Sequence, residues 1–414
     1  MTEPLNIALL SYRAKPTCGG QGVYIRHLSR ELTALGHHVE VITGPPYPVL
    51  DNGVRFTPLP GLDLYAPDNP FRTPAVRELA TVPNLLEYLG LKAGRFTEPL
   101  AFSLRARAYL RGRGFDVVHD NQGLGYGLLG LPGLVATIHH PVAIDREWEL
   151  HDVSDQRRRE VRSWYRFLRM QARVARRVGR IVTPAIASST AVAEWMGVPA
   201  GRLSAVPLGV DTAVFRPDPA TPRVPGRIVT TASADVPVKG LAHLLTAVAQ
   251  LPSGTELHVV GTARPGGPTE QLIGELGLAE AVRFHHGLTD HELADLIRSA
   301  TVACVPSLFE GFSLPALEAM ACGTPLVCTT AGAIPEVTGD AAVPCAPGDP
   351  PALAAALATV LSSPELQAAL GAAGAARARS FTWRATAEAT VAVYRARLGD
   401  TSDAAPADKE CRTC

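Results

Sequence analysis

Two glutamates, Glu310 and Glu318, flank a short loop-to-helix segment and have seven residues between them. The apolar run 302–305 just before them predicts a buried strand. Pro315 suits the first position of a helix, so the amides of residues 312–314 are expected at its N-terminus, an end that attracts anions. We expect Glu318 in the first turn of that helix and Glu310 in the loop before it. Two carboxylates beside an anion site are suited to binding sugar hydroxyls.

The segment continues as Ala-Met-Ala-Cys-Gly-Thr-Pro over 319–325 and resembles the core of the family 4 retaining glycosyltransferases. The resemblance covers nearly the whole chain. It implies that Glu310 binds hydroxyls of the donor sugar and that Glu318 holds the ribose of the nucleotide. An acid near a helix start can also serve only to complement the helix dipole. The amides that the resemblance places at the sugar and the β-phosphate belong to Gly311, Phe312, Ser313 and Leu314.

Apolar runs alternate with helical patterns along the first half of the chain. The run 5–10 is followed by a glycine loop at 16–22 and then by apolar residues at helical spacing. Strands that alternate with helices form parallel sheets with helices on both faces, so a doubly wound α/β domain is predicted. Its further strands are expected at 39–42, 116–119, 134–138 and 180–183.

The same pattern begins again after residues 206–211. Two doubly wound domains in tandem are therefore predicted, and such sheets bind ligands outside the carboxyl ends of their strands. The resemblance implies the same architecture, the GT-B fold, in which two Rossmann-like domains face a central cleft. The second series of strands is expected near 227–232, 256–260, 282–285, 302–305 and 325–328.

The domain boundaries follow from this repetition and from the resemblance. The first domain is expected to carry the glycine loop and the acceptor side, and the second to bind the nucleotide-sugar donor. A helix near the end of the chain is implied to cross back to the first domain, and the polar tail after it is expected to be disordered. The expected ranges are 1–207 for the first domain, 208–381 for the second, 382–398 for the crossing helix and 399–414 for the tail.

Three glycines in the first loop, Gly19, Gly20 and Gly22, allow the backbone to approach a ligand closely at the start of a helix. The spacing is not G-x-G-x-x-G, so a dinucleotide site is not indicated. A tight turn alone would also explain these glycines. The resemblance implies that the loop faces the donor diphosphate.

Lys239 matches the lysine that neutralises the diphosphate leaving group in the family. A cation there is useful because charge on the leaving phosphate grows in the transition state. Most relatives pair it with an arginine six residues earlier, where this chain has Ser233. Arg264, in the loop that Gly261 opens after a strand, could replace it or could simply be a solvated side chain. Gly261 is expected to border the donor site.

His139 follows a predicted strand and matches a family histidine near the reacting face of the donor sugar. It could position groups or handle protons there, or it could only cap the edge of the core. His140 is the adjacent competitor, and His119 is a weaker candidate for the same cleft. The implied reaction is attack by an acceptor hydroxyl on the anomeric carbon of a nucleotide-diphospho-sugar, with retention through same-face substitution. Retention is implied by the resemblance alone.

The sequence carries no signal for a metal site. It contains no D-x-D motif and no Cys/His cluster with zinc spacing, so metal-free catalysis by Lys239 and helix amides is expected. The terminal pair Cys411 and Cys414 forms a lone C-x-x-C, at most half a zinc site. Cys411 also sits where a prenylation box would place its cysteine, but the residues after it are not aliphatic.

Composition limits the classes of function. The 414 residues carry a formal net charge of zero, which gives no overall attraction to nucleic acid. No apolar run approaches the roughly 20 residues of a membrane span, and no signal peptide is evident. The seven cysteines do not resemble a secreted disulfide framework. We therefore expect a cytoplasmic enzyme with reduced thiols.

Ten arginines fall between residues 157 and 180, and apolar residues recur among them at helical spacing. A basic amphipathic helix could rest on anionic lipid at the inner face of a membrane, as in relatives that glycosylate lipids. The other interpretation is a helix packed on the sheet with a solvated basic face. The arginines are 157, 158, 159, 162, 166, 169, 173, 176, 177 and 180.

The main hypothesis is a metal-independent retaining glycosyltransferase that uses a UDP- or GDP-sugar and an acceptor of unknown identity, with no other cofactor. A GT-B enzyme of other chemistry, such as a sugar-nucleotide epimerase or a phosphorylase, is a second possibility. A non-catalytic nucleotide-sugar binder is a third, suggested by Ser233 at the arginine position.

Overall fold

A computed structural model describes residues 3–15, 20–66, 69–151 and 153–400. Within these residues the chain forms two α/β domains, each built on a parallel sheet. The first sheet has the order β3-β2-β1-β4-β5-β6-β7, so the chain starts in the middle and winds outward in both directions. Its strands are β1 (Asn6–Ser11), β2 (His38–Thr43), β3 (Arg55–Pro58), β4 (Val117–Asn121), β5 (Leu134–Thr137), β6 (Arg180–Thr183) and β7 (Leu203–Ala205).

The second sheet repeats this winding with the order β10-β9-β8-β11-β12-β13. All of its pairings in the described residues are parallel. Its strands are β8 (Val224–Thr230), β9 (Glu256–Val260), β10 (Val282–His285), β11 (Ala300–Val305), β12 (Leu326–Thr329) and β13 (Val343–Cys345).

Helices cover the two sheets. In the first domain they are α1 (Gly20–Ala34), α2 (Val82–Lys92), α3 (Glu98–Leu110), α4 (Ala143–Glu149), α5 (Asp155–Trp164), α6 (Leu168–Ala175) and α7 (Ile186–Met196). After them come α8 (Leu241–Val248), α9 (Pro268–Glu275), α10 (Asp290–Ser299), α11 (Leu314–Ala321), α12 (Ile334–Thr338), α13 (Pro350–Ser362), α14 (Pro364–Ala378) and α15 (Trp383–Gly399).

The central strands are where the apolar runs predicted them. Every residue of β11 is buried, as is typical of a parallel strand covered on both faces. The sequence analysis missed β3, β7 and β13, and all three lie at sheet edges. They are short and partly exposed, so they lack the continuous apolar run that marks a central strand.

Helix α15 returns to the first domain and packs against α1. The Trp383 ring stacks on His27 with the ring centroids 4.9 Å apart. Tyr394 meets the buried His119, with 2.5 Å between Oη and Nδ1, and Thr386 donates a hydrogen bond to the Pro207 carbonyl. The tail after residue 400, with Cys411 and Cys414, lies outside the described residues.

The prediction of one basic helix over 157–180 is wrong. The structure has α5, then a tight 3-10 turn at Tyr165–Phe167, then α6, and Arg180 already belongs to β6. The break lies where Tyr165 turns inward, is buried and donates a hydrogen bond to Glu149 at 2.6 Å. The predicted contact with a membrane gains no support from this arrangement. Among the described helices, none alone is long and apolar enough to cross a membrane, and the bent pair 350–362 and 364–399 meets that test only when combined.

Candidate active site

The loops that follow β5 and β11 meet between the two domains. A Cβ added to Gly311 would lie 2.1 Å from the backbone oxygen of His139, so only glycine allows this approach. The hydroxyl of Ser188, at the start of α7, lies 2.5 Å from the Gly311 oxygen and 3.2 Å from the His139 oxygen. The predicted donor loop and the predicted histidine are therefore in direct contact.

Glu310 forms a compact polar cluster with Lys239 and Ser307. Its Oε1 atom lies 3.0 Å from Nζ of Lys239 and accepts a hydrogen bond of 2.7 Å from the Ser307 hydroxyl. No described residue donates to the other oxygen, Oε2. The Glu310 side chain is 9% exposed and that of Lys239 is 33% exposed, so the pair borders the cleft. One oxygen holds the lysine and the other is available to a ligand hydroxyl.

Gly240 explains how Lys239 reaches this loop. Lys239 ends the 3-10 turn Pro237–Lys239, and Gly240 after it has a φ of +69°. A Cβ at Gly240 would lie 2.0 Å from the backbone oxygen of Pro306. Glycine at 240 is thus required by a close approach between the loop after β8 and the loop after β11, and this approach places Lys239 beside Glu310.

The helix after Glu310 begins one residue earlier than expected. Ser313 is its N-cap and accepts a hydrogen bond from the Ala316 amide at 3.4 Å, so Leu314 is the first helical residue and Pro315 the second. Ser313 has a φ of +88°, a strained value for a residue other than glycine and one that clusters at functional sites. Phe312 is buried beside it and packs edge-on against Phe381.

Glu318 lies in the second turn of α11, which corrects its expected place in the first. The carboxyl group is partly buried, and it makes no side-chain hydrogen bond to another described residue. Burial raises its pKa to about 8, and the nearby Asp290 adds to the rise. A carboxyl group without a protein partner, close to a helix start, is suited to accepting hydroxyls from a ligand.

His139 is held by Asn121, the last residue of β4, and by Gln122 after it. Its Nε2 atom lies 2.8 Å from the Asn121 side-chain oxygen, and its backbone amide donates to Gln122 at 2.7 Å. Burial, with a smaller contribution from the neighbouring His140, lowers the pKa of His139 to about 3. The imidazole is therefore neutral near pH 7. With the Asn121 oxygen as acceptor, Nε2 carries the proton and Nδ1 keeps its lone pair.

The other two histidines have structural contacts. His119 is fully buried, and its Nε2 atom lies 2.7 Å from the Thr137 hydroxyl, while its other nitrogen meets Tyr394. It ties α15 to the first sheet and does not line the cleft. His140 pairs with Asp145 at 2.9 Å.

The glycine loop before α1 lies close to Asn121, the residue that holds His139. Gly19 lies outside the described residues, and Gly20 opens α1 with free space around it. A Cβ at Gly22 would lie 1.9 Å from the Lys15 oxygen, so this glycine lets α1 start against the loop after β1. The side chain of Asn121, whose oxygen contacts His139, also donates from its nitrogen to the Gln21 backbone oxygen at 3.5 Å.

Arg264 lies beside the loop that contains Ser233. Its Nε atom is 3.5 Å from Asp235, whose carboxylate also accepts the amides of Arg264 and Thr269. The side chain is 72% exposed and forms no contact with Lys239 or Glu310 in the described structure. Gly261 lies close to Ser233: a Cβ added to Gly261 would be 4.0 Å from the Ser233 Cα. Arg264 as a replacement for the missing arginine stays a prediction.

Sequence reasoning missed Ser188, Ser307 and Glu336. Glu336, in the first turn of α12, accepts hydrogen bonds from the amides of Ile186 at 2.9 Å and Ala187 at 2.7 Å. It therefore caps α7, whose own N-cap residue, Ala185, has no side chain that can do so. The contacts of Ser188 and Glu336 join segments more than 100 residues apart, and no local pattern predicts them.

We expect Glu336→Ala to destabilise the protein by about 1 kcal/mol, because two amides lose a charged capping group. It should also raise the KM for the donor, since α7 carries the Ser188 that holds Gly311 against His139. Thermal unfolding and donor kinetics measure both effects. Asp340→Ala, at a nearby exposed acid, serves as the control. Equal behaviour of the two variants would contradict the capping role.

Two doubly wound domains that face each other across a cleft are the arrangement of the GT-B fold. Two family models match: "Glycosyltransferase Family 4" over residues 18–214 and "Glycosyl transferases group 1" over residues 219–377. The chain belongs to this family of glycosyltransferases.

Relatives extend over almost the entire chain. The MMP alpha-(1→4)-mannosyltransferase of Mycolicibacterium hassiacum is 51% identical over 94% of this chain and 98% of its own. The D-inositol 3-phosphate glycosyltransferase of Kineococcus radiotolerans is 30% identical over 95% of this chain and 96% of its own.

Solved structures show the same fold. Sucrose-phosphate synthase from Thermosynechococcus elongatus superposes with a TM-score of 0.73 at 24% identity, covering 95% of this chain and 98% of its own. Anabaena HepE, solved in complex with UDP-glucose, has a TM-score of 0.66 at 17% identity and covers 95% of this chain and 100% of its own. The predicted family and fold are confirmed, whereas the roles of individual site residues stay predictions.

Proposed function

We propose that this glycosyltransferase moves a mannosyl group from a nucleotide-diphospho-mannose to a saccharide hydroxyl, with retention of configuration and without a metal ion. The observation that carries the proposal is the cluster of Lys239, Glu310 and Ser307 beside the N-terminus of α11. It offers a cation for a diphosphate and a carboxylate for sugar hydroxyls within one hydrogen-bonded group. The name of the 51% identical relative supports mannose as the sugar.

Lys239 supports a diphosphate leaving group. As the bond from the anomeric carbon to the phosphate breaks, negative charge grows on the phosphate and positive charge on the sugar ring. A fixed cation and helix amides stabilise that phosphate charge more in the transition state than in the ground state. Glu310 holds the sugar from the side opposite to the lysine contact, through Oε2. Anabaena HepE, solved with UDP-glucose, supports a nucleotide donor for a chain of this fold.

His139 serves as a neutral hydrogen-bonding group at the sugar. Its lowered pKa excludes a histidinium near pH 7, so it does not supply positive charge to the leaving group. The direct contact between its loop and Gly311 brings it to the donor loop. In this mechanism the leaving phosphate takes the proton of the attacking acceptor hydroxyl on the same face of the sugar.

Retention and metal independence have separate supports. An α-linked product formed from an α-linked donor requires retention, and the relative from Mycolicibacterium hassiacum is named for an α linkage. Lys239 is the group that we propose in place of a metal at the diphosphate.

Release of nucleotide tests the donor and the metal requirement together. Purified protein is incubated with UDP- and GDP-linked mannose and glucose, with an α-mannoside oligosaccharide as acceptor, in the presence and absence of EDTA. We expect acceptor-stimulated release from a mannosyl donor at the same rate in both conditions. Loss of release with EDTA, restored by Mg²⁺ or Mn²⁺, would contradict metal independence, and release only from glucosyl donors would contradict the sugar.

A further inference from the structure

We propose that an aromatic pocket around Arg13 in the first domain binds an uncharged pyranose unit of the acceptor. This inference rests on the proposed function, because it assumes that the acceptor is a saccharide. The aromatic pocket consists of the side chains of Arg13, Tyr65, Phe96, Glu98 and Trp164.

The rings of the aromatic pocket come from three separate segments. Tyr65 lies in the loop after β3, Phe96 just before α3, and Trp164 at the end of α5. The ring centroids are 5.3 Å apart for Tyr65 and Phe96, 5.8 Å for Tyr65 and Trp164, and 5.5 Å for Phe96 and Trp164. All three rings remain partly exposed. A core cluster would bury them, whereas a sugar-binding wall leaves part of its ring surface accessible.

Arg13 lies across this wall. Its guanidinium carbon is 4.6 Å from the Tyr65 centroid and 5.5 Å from that of Phe96, and its Nε atom is 2.6 Å from Glu98. Four polar atoms of the pocket are buried without a hydrogen-bond partner in the described structure. Nε of Arg13 and Oε2 of Glu98 still form the ion pair, which leaves Nη2 of Arg13 and Oη of Tyr65 unpaired. Each such atom costs about 1–3 kcal/mol if it stays unpaired, so a ligand hydroxyl that pairs with it gains binding energy.

A chain of hydrogen bonds places the pocket at the edge of the sheet that carries His139. The Arg13 oxygen accepts from the Ser11 hydroxyl at 2.5 Å, and the Asn121 amide donates to that hydroxyl at 3.3 Å. Asn121 is also the partner of His139. Since Arg13 follows β1 and His139 follows β5, both lie at the carboxyl ends of parallel strands, where the donor loop also lies.

The chemistry of the pocket fits a pyranose better than a phosphate. Aromatic faces pack against the C–H face of a sugar ring, and the phenol and the guanidinium supply hydrogen-bonding groups for its hydroxyls. Arg13 is the one cation among the five residues of the pocket, and its contact with an acid, Glu98, offsets its attraction for a phosphate. We therefore expect a neutral mannoside to occupy this pocket in preference to a sugar phosphate.

Two variants test the pocket, with the KM for an α-mannoside oligosaccharide and the slow hydrolysis of the donor in its absence as readouts. Trp164→Leu should raise the acceptor KM on the order of tenfold by removing a ring face. Tyr65→Phe should raise it several-fold by removing only the hydroxyl, and it keeps the ring packing if Trp164→Leu does not fold. Donor hydrolysis should be unchanged in both. Trp195→Leu, at an exposed tryptophan of α7, is the matched control.

The outcomes separate this inference from the proposed function. Wild-type transfer to the mannoside with an unchanged acceptor KM in Tyr65→Phe and in folded Trp164→Leu would overturn the pocket alone. A wild-type protein that hydrolyses the donor but glycosylates only a phosphorylated acceptor would overturn the neutral ligand. A wild-type protein that neither hydrolyses nor transfers from any nucleotide sugar would instead overturn the proposed function.

Discussion

Lys239→Ala is expected to lower the rate of sugar transfer about 100-fold or more, because the charge that grows on the leaving diphosphate loses its cation. The loss should appear in kcat and not only in the donor KM, since the interaction strengthens in the transition state. Steady-state kinetics with the mannosyl donor and an α-mannoside acceptor measure it.

The contact between Lys239 and Glu310 adds a stability effect that the sequence did not indicate. Lys239→Ala leaves the mostly buried Glu310 with Ser307 as its remaining protein donor. The free energy of unfolding should therefore fall by up to about 1 kcal/mol, which a modestly lower melting temperature would show. The double variant with Glu310→Gln should recover this stability but not the activity. Lys92→Ala, an exposed lysine of α2, controls for loss of a lysine elsewhere. Wild-type turnover in Lys239→Ala would remove the lysine from the mechanism.

Glu310→Ala and Glu318→Ala are expected to fail in different ways. Glu310 contacts Lys239, and we propose that its other oxygen holds the sugar, so its loss should lower kcat as well as donor affinity, each on the order of tenfold or more. Glu318 has no side-chain partner in the described residues, and its loss should act largely on donor binding, through the ribose. Donor titration by calorimetry and initial rates at saturating donor separate the two effects.

The matched glutamines sharpen this comparison. Glu310→Gln keeps the size of the side chain and one acceptor oxygen, so it should retain more donor affinity than alanine while losing the charge opposite Lys239. Glu318→Gln should behave nearly as wild type near pH 7, because the raised pKa of Glu318 already keeps much of that carboxyl protonated. Equal losses in kcat alone for both alanine variants would indicate general acid/base catalysis and contradict the donor-binding roles.

The sequence predicted the elements whose burial is local in origin. Central strands such as β11 are apolar on both faces, so a continuous apolar run in the sequence predicts them. Edge strands such as β3 have no such run. The break after α5 lies where Tyr165 turns inward and bonds to Glu149 in another helix, so helical spacing alone suggested a continuous helix.

The candidate site divides in the same way. The segment from Glu310 to Glu318 was recognisable because its residues are consecutive, and Lys239 was recognisable from its match to the family. The contacts that bring these residues together could not be recognised from the sequence. Lys239 and Glu310 are 71 residues apart in the chain, and Ser188 and Gly311 are 123 residues apart. The first pair depends on β8 and β11 being neighbours in the second sheet, and the second pair on how the two domains face each other. Periodicity along the chain records neither.

The anomeric configuration of the product tests the central claim most directly. A mannosyl donor with a ¹³C label at the anomeric carbon and an α-linked phosphate is incubated with the enzyme and an α-mannoside oligosaccharide, and the product is examined by NMR. The proposed mechanism predicts that the label moves to the oligosaccharide and that its one-bond carbon–proton coupling is that of an α-mannoside. A β-linked product, or label that stays in the nucleotide sugar as a rearranged donor, would contradict it.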